Sequence, residues 1–102
     1  MIDTITASSV IERGEEVVSC DLAGGAALLD LRSATYFSLN PVGAYVWELL
    51  TAPVAVSRLH DALCARYDVQ RDACLQDLMD LLQEFAQAEL IRVVDAANAT
   101  IS

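Results

Sequence analysis

Hydrophobic and polar positions alternate in the first half of the chain as they do in short antiparallel strands. VVSCDLA (17–23) and AALLDLR (26–32) flank Gly24 and Gly25, a pair that suits a tight hairpin turn. A third alternating segment, TYFSL (35–39), follows after a short polar turn. These segments predict a three-stranded antiparallel meander.

The third strand runs directly into a helix through Asn40 and Pro41. The residue before a proline favours extended backbone, whereas proline itself suits the first helical turn, so Asn40 is expected to cap the helix. Trp47 lies off the centre of the apolar stripe that follows, and we expect it to be half-exposed. The stripe recurs at helical spacing and consists of Val42, Tyr45, Val46 and Leu49.

The second half of the chain has the period of two further helices. One is expected to begin after Ser57 as its cap, and the other to run from about Arg71 to Ala88. At 100 degrees per residue, the apolar positions of the last helix span an arc of about 160 degrees, wider than one covered face requires. The centre of this arc should be core, and its flanks could border a groove. Residues 91–94 could form a last short strand.

The expected organisation is a flexible N-terminal segment over residues 1–15, one domain over residues 16–94 and a C-terminal tail over residues 95–102. With 102 residues, of which 55% are hydrophobic, the chain can bury a single core. The predicted class is α+β, with a winged-helix-like arrangement of a three-stranded antiparallel sheet followed by three helices.

Charge and cysteine content narrow the classes of function. The chain has 15 acidic and 6 basic residues, for a formal net charge of −9, and every basic residue is arginine. Such a surface repels phosphate backbones and anionic membranes, so neither nucleic acid nor a membrane is expected as a partner. The three cysteines include no CxxC pair, and no stretch resembles a signal peptide or a membrane span. A reducing cytoplasm is the expected location.

His60 and Cys64 lie four residues apart on the second predicted helix. They could hold a metal or form a thiol and its base, but a catalytic pair needs an orienting third group and a metal site needs more ligands. Cys64 and Cys74 are more simply small buried hydrophobic residues. We therefore expect no catalytic residues, no metal, no cofactor and no enzymatic activity.

The order of elements and several short motifs resemble the PqqD-like family, the recognition elements of ribosomally made, modified peptide (RiPP) biosynthesis. The resemblance covers residues 16–94 and includes LLDLRSATYFSLNPVGAYVWELL, the helix end ARYDV, and DLMDLLQEFAQAELI. Members often carry glycine before the terminal Leu-Ile pair, where this chain has Glu89, so the third helix could end differently. The most telling positions are Leu28, Leu29, Leu31, Tyr36, Phe37, Leu39, Asn40, Trp47, Leu49, Leu50, Tyr67, Leu90 and Ile91.

The resemblance implies a peptide clamp without chemistry of its own. Members bind the leader segment of a precursor peptide as an added strand on the last strand of the meander, with apolar leader side chains in a groove beside the third helix. Carried onto this sequence, the receiving strand is Thr35, Tyr36, Phe37 and Ser38. The groove wall is drawn from Asp77, Leu78, Leu81, Leu82 and Phe85, although the sequence alone does not choose between the two flanks of the helix.

The expected partners are a precursor leader peptide and a modifying enzyme, either a leader peptidase, as in lasso-peptide pathways, or a radical-SAM enzyme. The lasso type is slightly preferred. An exposed edge strand could also pair with a second copy and form a homodimer. The alternative function is a winged-helix nucleic-acid-binding regulator, but the third helix carries several acidic residues and only one arginine, Arg71.

Overall fold

The computed structural model describes residues 5–6 and 8–94. Its elements are β1 (Val10–Arg13), β2 (Val17–Leu22), β3 (Gly25–Asp30), β4 (Thr35–Leu39), α1 (Pro41–Leu49), β5 (Val54–Ala55), α2 (Val56–Arg66), α3 (Arg71–Gln87) and β6 (Ile91–Val94). The predicted α+β, winged-helix-like class is confirmed, and the meander β2-β3-β4 is antiparallel throughout. Among these residues, no helix is both long and apolar enough to cross a bilayer.

A second sheet, ordered β5-β1-β6, was not predicted. Its central strand lies at Val10–Arg13, inside the segment expected to be flexible, and pairs with β6 through Ile11 opposite Val93 and Arg13 opposite Ile91. The expectation of a flexible segment was therefore wrong at residues 10–13. The pattern missed this strand because its stability comes from partners far away in the chain. Residues 95–102, expected as a tail, lie outside the described part of the chain.

The helix boundaries follow local signals in two of three cases. The Asn40 side chain accepts a hydrogen bond from Gly43 N at 2.8 Å, which confirms the predicted cap of α1. Helix α3 begins at Arg71, as expected. The Ser57 cap was wrong, because α2 begins at Val56 without a side-chain cap. The chain arrives there as strand β5, and Val56 N donates to Ser9 O at 2.9 Å, so the helix starts where the sheet pairing ends.

Helix α3 ends in a Schellman motif, with Glu89 at the position that glycine commonly occupies in this motif. Leu90 N donates to Phe85 O at 2.9 Å, and Glu89 N donates to Ala86 O at 3.0 Å, the two bonds that define this motif. Glu89 adopts the left-handed conformation, with φ 61°, that a glycine would adopt without strain. Glu89 therefore ends the helix in the turn that a glycine would favour, although its presence had suggested a different helix end.

The turn between β3 and β4 is tied down by Asp30 and Arg32. Oδ1 of the buried Asp30 accepts from Arg32 N at 3.0 Å, and the guanidinium lies 3.4 Å from Oδ2. Desolvation raises the pKa of Asp30, but the hydrogen bonds and charge of Arg32 lower it more, so that the net pKa is below its usual value. Arg32 Nη2 also donates to Glu89 O at 3.2 Å, which connects this turn to the end of α3.

Candidate functional site

Strand β4 is an edge strand, because within residues 8–94 it pairs only with β3. The orientation of its backbone groups follows from the neighbouring pairing. Leu31 N donates to Glu16 O at 2.8 Å, so odd-numbered residues of β3 turn their N–H and C=O groups towards β2. Even-numbered residues of β3 therefore face β4, opposite Thr35, Phe37 and Leu39.

By the same alternation, Tyr36 and Ser38 turn their backbone N–H and C=O groups towards the open edge. The two-residue turn between Leu22 and Gly25 leads to the same orientation. The residues that flank such a turn form a hydrogen-bonded pair, so Gly25 and the other odd-numbered residues of β3 face β2. Tyr36 is 70% exposed, and its side chain lies on the opposite face of the strand from those of Phe37 and Leu39. An extended chain placed along this edge would find two donors and two acceptors at the spacing of a β-ladder.

A groove of about 400 Å³ runs between β4 and α3 beside this edge. Phe37 and Leu81 are half-buried side chains of its two walls, and Phe85 is buried against the core. Its walls are mostly apolar, and Glu84 supplies a carboxylate on the helical side. The groove is lined by Phe37, Ser38, Leu39, Asn40, Gly43, Leu81, Glu84, Phe85, Ala88 and Leu90.

The groove lies on the Leu81 side of α3, whereas the sequence alone did not choose between the two flanks. Leu82 was a candidate wall residue, but it is 0% exposed and lies in the core beneath the groove. Glu84 and Ala88 line the groove and were missed, although they lie three and seven residues after Leu81 on the same helical flank. Helical spacing from Leu81 was the signal that could have identified them.

A second, more apolar pocket of about 220 Å³ adjoins the groove, and Leu81 lines both. The candidate residues Asp77 and Leu78 lie here and not in the groove itself. Because the two cavities share Leu81, apolar side chains of one bound segment could occupy both. The pocket is lined by Val42, Leu63, Tyr67, Val69, Ala73, Cys74, Asp77, Leu78 and Leu81.

A cluster around Trp47 supports Phe85 from below. Trp47 is only 2% exposed, so the expectation that it is half-exposed was wrong. Its ring packs edge-on against Phe85 at a centroid distance of 6.0 Å, and the Arg13 guanidinium lies 4.7 Å from the Trp47 ring centroid. Arg13 Nη2 also donates to Trp47 O, and burial lowers the pKa of Arg13. The unpredicted strand β1 thus contributes a cation–π contact beneath the groove.

The exposed face of α3 is acidic, in line with the net charge of −9. Asp72, Asp77, Asp80 and Glu84 are all exposed on this helix, and its one arginine, Arg71, donates to Asp61 at 2.8 Å. A helix that enters a nucleic-acid groove needs a basic face. The charge distribution therefore disfavours nucleic acid and suits a neutral or basic ligand.

Cys74 lies close to His60 and Cys64, the pair that is four residues apart on α2. The sequence alone had offered this pair no third group. Ligand atoms of these three side chains lie within 4.8 Å of one another. Burial raises the pKa of the Cys74 thiol, and the neighbouring Cys64 raises it further. Because the thiolate is the nucleophile, a raised pKa argues against Cys74 as a catalytic nucleophile at neutral pH.

The chain is similar to known proteins in sequence and in fold. Residues 25–91 match the family described as coenzyme PQQ synthesis protein D (PqqD). The solved structure "TbiB1 in Complex with the TbiA(beta) Leader Peptide" is 36% identical with a TM-score of 0.73, over 78% of this chain and 93% of that one. "Lasso peptide synthetase B1 complexed with the leader peptide" is 21% identical with a TM-score of 0.66, over 79% and 95%, and supports the fold alone. The chain has no significant match among curated proteins.

Proposed function

The chain belongs to the PqqD family, and we propose that it binds the leader segment of a ribosomally made precursor peptide by strand addition to β4. It presents this leader to modifying or leader-cleaving enzymes and performs no chemistry of its own. The observation that carries the proposal is the open edge at Tyr36 and Ser38 beside an apolar groove. The TbiB1 structure, which holds a leader peptide, supports the same class of ligand.

Backbone pairing alone is too weak and too unselective for this function. Each hydrogen bond contributes about 0.5–1.5 kcal/mol net, while ordering each residue of the added strand costs about 1–2 kcal/mol. Apolar side chains of the leader must supply the surplus at about 0.8 kcal/mol for each buried methylene group. The groove beside Phe37 and Leu81, together with the adjoining pocket, provides the surface against which they are buried.

Charge sets a second criterion for the leader. Glu84 lines the groove and Asp77 lines the adjoining pocket, so an acidic residue at either place would meet like charge. A leader with neutral or basic residues there is favoured. Reversing the charge of such leader residues should weaken binding, and the loss should shrink as salt screens the interaction.

The proposed partner enzyme is a leader peptidase or a radical-SAM enzyme, with the lasso-type peptidase slightly preferred. A second copy of the chain pairing at β4 would compete with the leader for the same backbone groups, so a dimer formed there would be peptide-free. The free cysteines Cys20, Cys64 and Cys74 suit a reducing cytoplasm, where precursor peptides are made.

Amide hydrogen exchange tests the proposal residue by residue. Leader peptides from precursor genes that neighbour the gene of this chain, with the TbiA(beta) leader as an additional probe, would be added to the ¹⁵N-labelled protein. In the free protein, the amides of Tyr36 and Ser38 should exchange quickly, and that of Phe37 slowly, because only Phe37 faces β3. A bound leader should slow exchange at Tyr36 and Ser38.

Two outcomes would contradict the proposal. One is a leader that binds without slowing exchange at Tyr36 and Ser38, which would place the peptide elsewhere. The other is a protein that binds none of the leaders but binds a short DNA duplex with strong salt dependence, which would support the nucleic-acid alternative.

A further inference from the structure

Three side chains with metal-binding atoms converge where α2 packs against the start of α3. His60 and Cys64 lie one helical turn apart on α2, and Cys74 lies in the first turn of α3. Their ligand atoms all lie within 4.8 Å of one another. His60 is 9% exposed and Cys74 8%, while Cys64 is half-buried and open to solvent on one side. Neither the open edge of β4 nor the groove beside it involves these residues.

The contacts of His60 prepare it as a ligand. Its Nε2 lies 2.8 Å from the carbonyl oxygen of Arg71. A carbonyl oxygen only accepts, so Nε2 carries the proton of the neutral ring and Nδ1 keeps its lone pair. Metal-bound histidines commonly donate their other ring N–H to such an oxygen, which fixes the tautomer and the orientation of the ring. The Arg71 side chain in turn donates to Asp61 at 2.8 Å, which connects the start of α3 to α2.

The ligand set matches zinc better than the hard cations. Two thiolates and an imidazole are ligands of zinc, whereas magnesium and calcium prefer oxygen. Bond lengths of about 2.0–2.3 Å place the ligand atoms of a tetrahedral zinc site about 3.3–3.8 Å apart. The ligand atoms now lie up to 4.8 Å apart. Rotation of the two cysteine side chains, which moves each sulfur by about 1 Å, would bring them to the spacing of a zinc site.

We propose that His60, Cys64 and Cys74 form a three-ligand site for a thiophilic divalent cation, with water as the fourth ligand. The cation that this ligand set favours most is zinc. An occupied site joins α2 to the first turn of α3. Because Cys74 also lines the apolar pocket that shares Leu81 with the groove, bound zinc would fix one wall of that pocket. The site is independent of the proposed peptide function and would exist in a chain that binds no leader.

Cobalt provides a spectroscopic test, since Co²⁺ replaces Zn²⁺ in thiolate sites and gives charge-transfer and visible bands typical of tetrahedral coordination. The full-length protein would be reduced, freed of metal with a chelator and titrated with Co²⁺, and Zn²⁺ would then be added. We expect stoichiometric thiolate-to-cobalt absorption that Zn²⁺ abolishes. Zinc should also raise the melting temperature, because it binds the folded state.

Matched cysteine variants assign the site. Cys64→Ala and Cys74→Ala should weaken cobalt binding by more than about tenfold, whereas Cys20→Ala, which removes an exposed cysteine on β2, should bind as the wild type does. If Cys74→Ala does not fold, Cys64→Ala decides the question, because its side chain is only half-buried. The proposal is overturned if the wild type shows no thiolate-to-cobalt bands, if Cys64→Ala binds equally well, or if Cys20→Ala loses binding.

Discussion

Replacing Tyr36 by proline removes one backbone N–H from the open edge of β4 and leaves the pairing with β3 in place. The backbone N–H and C=O groups of Tyr36 point away from β3, whereas those of its neighbours Thr35 and Phe37 point towards β3. Proline is tolerated in edge strands where its missing N–H would have faced solvent. Thr35, as the residue before the new proline, is restricted to the extended backbone that it already has. The variant should therefore fold, with a melting temperature close to that of the wild type.

The expected loss of affinity follows from the hydrogen bond that the added strand can no longer form. A leader carbonyl would lose its donor while lying in the groove, at a cost of about 1–3 kcal/mol for an unsatisfied acceptor. This cost corresponds to a dissociation constant about 5- to 150-fold higher. Fluorescence anisotropy of a labelled leader peptide, titrated with wild type and variant at one fixed salt concentration, measures the ratio directly.

Tyr36→Ala is the matched control, because it removes the exposed side chain and keeps the backbone N–H. It reports any contribution of the Tyr36 ring, since this residue is 70% exposed in the free protein. If strand addition is correct, Tyr36→Pro should bind at least about fivefold more weakly than Tyr36→Ala. Equal affinities of the two variants, with Tyr36→Pro shown to be folded, would refute the assignment of this edge as the peptide-binding strand.

Three further predictions concern α3 and the turn before β4. Leu81→Ala should weaken leader binding by about 5- to 30-fold through lost apolar burial. Leu75→Ala, the same change about 120 degrees around α3 and outside both cavities, should leave the affinity measured by anisotropy within about twofold. Equal losses in the two variants would show that Leu81 is not part of the binding groove. Glu89→Gly should raise the unfolding free energy by about 0.5–1 kcal/mol in urea denaturation, since glycine adopts the positive φ at this position without strain, and unchanged stability would contradict this account. Because the folded pKa of Asp30 is lowered, its stabilisation is present above the unfolded value of about 3.9 and is lost as the pH falls through the folded value. The gap in melting temperature between wild type and Asp30→Asn should therefore narrow below about pH 4, and a gap that is independent of pH would speak against the Arg32 contact.

Local signals in the sequence were sufficient for the parts of the fold that local chemistry stabilises. Alternation marked the meander, Gly24 and Gly25 marked its first turn with an error of one residue, and Asn40 with Pro41 marked the start of α1. Helical spacing marked α3 with an error of one residue at its end. In each case the determining interactions lie within a few residues along the chain, so the pattern carries the information.

The family resemblance directed attention to β4 and α3, but the tertiary structure decided how they can be used. The open direction of the Tyr36 and Ser38 backbone groups depends on which residues of β3 pair with β2. The groove lies on the Leu81 flank because β4 passes that side of α3, and no position in the helix itself encodes this choice. Leu82 is apolar like Leu81, but it cannot line the groove because the core covers it completely.

The remaining features depend on contacts between residues far apart in sequence. Strand β1 exists because β5 and β6 pair with it, and through Arg13 it helps to bury Trp47, which the helical stripe had placed near the surface. Cys74 joins His60 and Cys64 only because α3 packs on α2. The sequence by itself determined the three strands of the meander and the three helices, since short-range sterics and hydrogen bonding select them. Which of their faces meet, and which edge stays open, was decided by the packing of the whole domain.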